Sequence, residues 1–160
     1  SVSALSQFLL LFVYSLSEVL RGVRSFSLCS NLVETTEIFN EKNIDKALKD
    51  AAEAAMLGAT DYGQALEDFD DIALSDVDRR TTVLILGDGR SNYTNPRVDL
   101  MRRLHDQAHF VMWLNPEPET FWGTGDSEMH RYRAYSDLTK TVNSLADLER
   151  AVSLMMIRAQ

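Results

Sequence analysis

Residues 83–86, Val-Leu-Ile-Leu, form an uninterrupted apolar run that ends on Gly87-Asp88-Gly89. Four consecutive apolar, mostly branched residues leave no polar face, so the run predicts a strand buried on both sides. Such strands belong to parallel sheets flanked by helices. The glycines allow a sharp turn and the close approach of another backbone or an ion. Asp88 is thereby placed just beyond the carboxyl end of a central strand, where open α/β sheets bind their ligands. A carboxylate there serves as a metal ligand, a catalytic group or the cap of the next helix.

Other apolar patterns supply the remaining layers. Leu5, Phe8, Leu9, Phe12, Val13, Leu16, Val19 and Leu20 follow helical spacing and predict a core-facing first helix. The run within it, Phe8 to Val13, lacks a positive flank and is too short to span a bilayer, so neither a signal peptide nor a membrane anchor is expected. Ser25–Cys29 alternates like a strand with one wetter face, and Leu32–Thr35 is a candidate partner across a tight turn at Ser30-Asn31. Asn43 is a candidate N-cap for a helix to about Met56, and a loop over residues 57–60 leads into a helix from Asp61 to about Leu74.

Pro96 is expected to open a helix to about Gln107. Phe110–Leu114 predicts a second fully apolar strand, and Leu138–Val142 a last short one. Ser144 caps a final helix to about Ile157. Strands alternating with helices give an α/β fold with a doubly wound, mostly parallel, Rossmann-like sheet. The chain opens directly on a buried helix, so the central first strand of such a sheet is expected to be missing.

The 160 residues suit one domain with a sizeable core, expected to span 1–160. Acidic residues outnumber basic ones 24 to 16, which argues against nucleic acid and anionic membrane as partners. A basic surface or a metal cation fits that balance better. The single cysteine, Cys29, excludes an internal disulfide and a cysteine-rich zinc site, and a reducing, cytoplasmic setting is expected.

Three polar clusters fall at one end of the predicted sheet: Ser1 and Ser3 before the first helix, Thr60-Asp61 before another, and Asp88 after the third strand. Taken singly, serine, threonine and aspartate are ordinary helix caps. Taken together, two hydroxyl sites and one carboxylate suit a hard cation that keeps a mainly hydrated octahedral shell, such as Mg2+ or Mn2+.

Gly58-Ala59-Thr60-Asp61-Tyr62-Gly63-Gln64-Ala65-Leu66 and Leu84-Ile85-Leu86-Gly87-Asp88-Gly89 resemble two segments of a von Willebrand factor A (VWA) domain. Trp113-Leu114-Asn115-Pro116-Glu117 and Trp122-Gly123-Thr124-Gly125-Asp126-Ser127-Glu128-Met129 resemble its CoxE-like branch. That family's metal-ion-dependent adhesion site (MIDAS) combines an Asp-x-Ser-x-Ser sequence, a later threonine and an aspartate after the fourth strand. The resemblance implies that Thr60 is the threonine, Asp88 the aspartate and Ser1 the second serine. It also implies that the motif's aspartate and first serine would precede Ser1, so that the chain is truncated inside the motif. Ala59 and Gly87 depart from the family's usual glycine and serine. The implied function is a non-catalytic, metal-dependent protein-binding module. Its partner would offer an acidic ligand residue, and it would work beside a MoxR-type AAA+ ATPase in metalloenzyme maturation.

The rival reading is a metal-dependent hydrolase or phosphotransferase using Asp88 as nucleophile or ligand, with Arg90 as a candidate phosphate contact. It lacks a second acidic strand end to supply a general base. Gly123-Thr124-Gly125 is not completed as a dinucleotide fingerprint, since Glu128 holds the third glycine position. No P-loop is present, and His105 and His109 straddle a helix–strand boundary, off the single helical face that zinc proteases need. The connection from Asn115 to about Ser136 exceeds ordinary loop length, which favours a functional role. Asn115, Glu117, Trp122, Asp126, Ser127 and Glu128 are the candidates for a partner-binding rim, with Trp122 and Tyr132 expected to pin the loop.

Overall fold

The structure, a computed structural model, describes residues 2–28, 31–40, 43, 45–46, 49 and 61–158. The chain divides into two compact units, residues 1–60 and 61–160. In the first unit, helix α1 (Val2–Val19) precedes strands β1 (Phe26–Leu28) and β2 (Leu32–Glu34) and the short helix α2 (Thr36–Phe39). β1 and β2 pair antiparallel, with Ser27 opposite Val33, as the alternation predicts. Tyr14 of α1 and Phe39 of α2 form its small core, their rings meeting edge-on at 6.5 Å. The Asn43 carboxamide accepts the Lys46 N–H at 3.1 Å, the geometry of an N-cap. The rest of the helix expected to reach Met56 falls largely on residues outside the described ones.

The second unit runs α3 (Tyr62–Ile72), β3 (Thr82–Leu86), α4 (Val98–Gln107), β4 (Phe110–Asn115), α5 (Met129–Tyr132), β5 (Leu138–Thr141) and α6 (Leu145–Arg158). Its sheet has the order β3-β4-β5 and every pairing is parallel. Leu86 lies opposite Leu114 and Asn115 opposite Thr141, so the carboxyl ends of all three strands share one end of the sheet.

All six residues of β4 are buried. Successive strand side chains point to opposite faces, so both faces of β4 are covered. Leu100, Met101 and Leu104 of α4 and Leu148, Ala151 and Met155 of α6 supply buried side chains to this core. Removing each of these leucine and methionine side chains from water stabilises the fold by roughly 1.5–3 kcal/mol.

Four local expectations are corrected. Val83–Leu86 is half-buried rather than enclosed, because β3 is an outer strand of the three and β4 is the central one. α3 stops at Ile72, and a 3-10 turn follows over Leu74–Asp76. α4 begins at Val98, not at Pro96. Arg97 sits in left-handed conformation at φ 47°, its N–H on the Asn95 carboxamide and its guanidinium between Glu67 and Asp99. The connection after β4 holds 3-10 turns at Glu119–Phe121 and Arg133–Tyr135 around α5. β1 takes β2 as its partner, and β3 takes β4.

Candidate functional site

Asp88 sits in a turn whose three carbonyls all accept hydrogen bonds. The Gly87 N–H donates to the Leu114 carbonyl at 3.0 Å, and the Gly87 carbonyl accepts the Trp113 indole N–H at 2.8 Å. The Asp88 carbonyl accepts Asn115 Nδ2 at 3.1 Å, and the Gly89 carbonyl accepts the Glu128 N–H at 2.9 Å. The hydroxyl oxygen of Tyr62 packs against Gly87, where an added Cβ would lie 1.8 Å from it. Gly89 is obligatory here: its φ is +69°, and an added Cβ would lie 2.5 Å from Met129 Sδ. Within the carboxylate, Oδ1 accepts the Arg90 N–H at 3.0 Å, while Oδ2 accepts no hydrogen bond from the described residues.

Arg90 organises everything beyond the turn. Its Nε and Nη2 form a two-pronged pair with Glu117, both bonds 2.8 Å, and its Nη1 reaches Asp126 Oδ1 at 2.9 Å and the Thr124 carbonyl at 3.2 Å. Such a fork holds two loops in one geometry, because a planar guanidinium matches a carboxylate edge to edge. The second carboxylate oxygen of Asp126 accepts the Asn92 N–H at 2.9 Å, and its carbonyl accepts the Ser91 N–H at 2.9 Å. The long loop is thus stitched to the segment following β3 by an arginine and an aspartate, rather than by Trp122 and Tyr132 alone.

The electrostatics separate Asp88 from Asp126. Arg90 and the Asn92 N–H hold the Asp126 carboxyl below its ordinary range, against a smaller effect of burial. Asp88 is pushed above its ordinary range, chiefly by burial and further by the charges of Glu117 and Asp126. The Arg90 N–H and guanidinium oppose this without cancelling it. One end of the sheet therefore carries a carboxylate whose ionised form is disfavoured and which keeps one oxygen open.

The expected residues are distributed as follows. Asp88 stands at the carboxyl end of β3, as its sequence context predicts. Ser1 and Thr60 lie outside the described residues, as does Cys29. Asn115 and Ser127 are buried and hold the loop from within: Asn115 Oδ1 accepts the Glu117 N–H at 2.8 Å, and Ser127 Oγ accepts the Gly123 N–H at 3.1 Å. Trp122 is half-buried, its indole N–H on the Glu117 carbonyl at 3.0 Å. Glu117 and Asp126 are engaged by Arg90, and Glu128 by Arg131 at 3.4 Å.

Among the described residues, no group of three or more His, Cys, Asp or Glu side chains is placed to hold a metal ion. His105 is paired with Asp137 at 3.1 Å. The guanidinium of Arg90, the rival reading's phosphate contact, is occupied by two carboxylates. Sequence reasoning passed over Tyr62 as a member of the site. The one local signal for it was Gly87, a glycine whose missing side chain leaves room for something.

A parallel sheet with helices between its strands and a carboxylate, Asp88, beyond one strand end defines a Rossmann-like α/β domain with its polar site at the carboxyl ends of the strands. The chain belongs to the family of VWA domain containing CoxE-like proteins, whose sequence model matches residues 1–154. Comparison with curated proteins and with solved structures gave no match. Among the described residues, no helix is long and apolar enough to cross a membrane.

Proposed function

We propose that the protein is a non-catalytic protein-binding module that holds a divalent cation of the Mg2+ class through Asp88 and works with a MoxR-type AAA+ ATPase in metalloenzyme maturation in the cytoplasm. The observation that carries this reading is the open Oδ2 of Asp88, in a turn whose three carbonyls are hydrogen-bonded. Family membership supports the rest. Asp88 suits a hard cation chemically: it is an oxygen donor whose negative charge is disfavoured as it stands, by burial and by Glu117 and Asp126. Ser1 and Thr60 are the proposed neutral oxygen donors. A cation held by so little protein charge keeps attraction for a carboxylate from a partner.

This chain's own residues do the remaining work. Arg90 fixes the Asp88 turn through its N–H and the neighbouring loop through its guanidinium, and Asn115 and Trp113 anchor the turn's carbonyls. The test is recovery of the ATPase on immobilised protein, with and without a chelator, for the wild type and Asp88→Ala. Recovery should fall in both treated arms. Equal recovery in all arms would mean that any contact between the two proteins uses another surface.

A further inference from the structure

A few residues beyond Asp88 the chain turns again. The Thr94 N–H donates to the Ser91 carbonyl at 3.1 Å, and the two residues between them, Asn92 and Tyr93, are both left-handed, at φ 54° and 59°. Paired left-handed positions are normally filled by Asn, Asp and Gly, with glycine favoured at the second. Asn92 fits that rule and Tyr93 breaks it. A residue with a Cβ is strained in this conformation, and Tyr93 gains little from packing, because it is 80% exposed. The turn persists because its neighbours over-determine it. The Asp126 carboxylate accepts the Asn92 N–H at 2.9 Å, and the Asp126 carbonyl accepts the Ser91 N–H at 2.9 Å and its hydroxyl at 3.2 Å. Thr94 Oγ1 donates to the Ser91 carbonyl at 2.6 Å, and Ser91 itself is buried.

Strain that the surroundings hold in place, and that no packing of the strained side chain offsets, is characteristic of contact sites. We infer that Tyr93 is the anchor of an interaction surface at the carboxyl end of the sheet, where its ring takes an arginine of a basic protein partner. Phe121, 52% exposed, belongs to the same surface: its carbonyl accepts the Thr124 N–H at 3.1 Å, and the Thr124 carbonyl accepts Arg90 Nη1. The class of partner follows from charge. The chain carries a net charge of -8, and residues 115–128 contain Glu117, Glu119, Asp126 and Glu128 but no lysine or arginine. Such a field draws in a basic surface, and the open face of a phenol ring attracts a guanidinium. The same loop already shows this geometry at Trp122, whose ring has the Arg133 guanidinium over it at 5.5 Å. The inference needs no ion at Asp88 and goes beyond the reading of that residue as an ion ligand.

Tyr93→Gly in the full chain tests both halves of the argument. Glycine removes the strain, so Tm should rise by about 2–4 °C. It also removes the ring, so affinity for a basic probe should fall by about two- to fivefold. The probe is a peptide of alternating glycine and arginine, titrated into isotope-labelled protein and followed by NMR, with glutamate in place of arginine as the control peptide. In the wild type the shifts should centre on residues 92–94 and on Phe121, and the control should not produce them. Tyr93→Phe keeps the ring face and should bind as the wild type does.

A Tm for Tyr93→Gly at or below that of the wild type overturns the claim of uncompensated strain, and the inference with it. A raised Tm with unchanged affinity shows that the ring is not the contact. Shifts spread over the acidic surface without a centre at Tyr93, equal shifts with the glutamate peptide, or no shifts at all each overturn the basic partner. None of these outcomes depends on the chelator and Asp88→Ala arms that test the ion reading.

Discussion

Replacing Arg90 by glutamine removes the one cation that joins the β3 turn to the long loop. The side chains of Arg90, Glu117 and Asp126 are 29%, 27% and 20% exposed, so the network is neither a surface pair nor a sealed one. Exposed pairs contribute about 0.2–1 kcal/mol, and breaking a buried pair costs about 3–5 kcal/mol. At this partial burial, with two carboxylates left beside Asp88, about 2–3 kcal/mol is expected. For a chain of this length each kcal/mol moves Tm by about 2–4 °C, so the variant should melt about 5–10 °C lower at neutral pH.

The pH dependence carries the sharper test. Arg90 depresses the folded-state pKa of Asp126, so that stabilisation is present above the unfolded value, about 3.9, and fades as pH falls through the lower folded value. The gap in Tm between wild type and Arg90→Gln, measured by calorimetry, should therefore narrow in strong acid. A gap below about 2 °C at pH 7 would place the network with surface pairs. A gap that stays constant down to the lowest pH would refute the claim that the ion pairs, rather than the arginine's packing, hold the loop.

Asp88→Asn should raise Tm at pH 7. The folded-state pKa of Asp88 is raised, so its contribution is favourable below the unfolded value and is lost as pH rises through the folded value; the gain should vanish in acid, and a Tm lowered at pH 7 would contradict the assigned burial cost. Gly89→Ala should be strongly destabilising, since it forces a side chain into left-handed conformation at about 1–2 kcal/mol and drives it against Met129; a melt within 2–3 °C of wild type would show that the turn relaxes freely.

The parts of the fold legible in the sequence are those with local causes. The apolar run Phe110–Leu114 has no polar face and became the buried strand, and Asn43, Asp61 and Ser144 each cap the helix that their side chains can reach within three residues. Asp88 was legible for the same reason, as the carboxylate that follows a strand and a glycine. What was not legible depends on distant pairing. Arg90 meets Glu117 and Asp126 across 27 and 36 residues, and no spacing rule links them. Pro96 looked like a helix start because the left-handed turn at Arg97 is imposed by Asn95 beside it and by Glu67, which lies 30 residues earlier. The burial of Val83–Leu86 was overestimated because composition says that a strand is apolar, not whether it is central.

The distribution of charge at the carboxyl end of the sheet bears directly on the choice between binding module and hydrolase. Phosphoryl or ester chemistry needs a cation free to meet an anionic substrate and a carboxylate free to accept a proton. Arg90 is not free for the first task, since its guanidinium is engaged by Glu117, Asp126 and the Thr124 carbonyl. Those two carboxylates are in turn both paired with its guanidinium. The arrangement leaves Asp88 as the carboxylate with an open oxygen, and the surroundings make its charge costly rather than comfortable. On the proposed reading, an arriving cation would relieve that cost at the moment of binding. The same reasoning explains the rigidity around it. The turn is held by the Trp113 indole on the Gly87 carbonyl, Asn115 on the Asp88 carbonyl and the Glu128 N–H on the Gly89 carbonyl, so the direction of the proposed ligand oxygen would be set before any ion arrives.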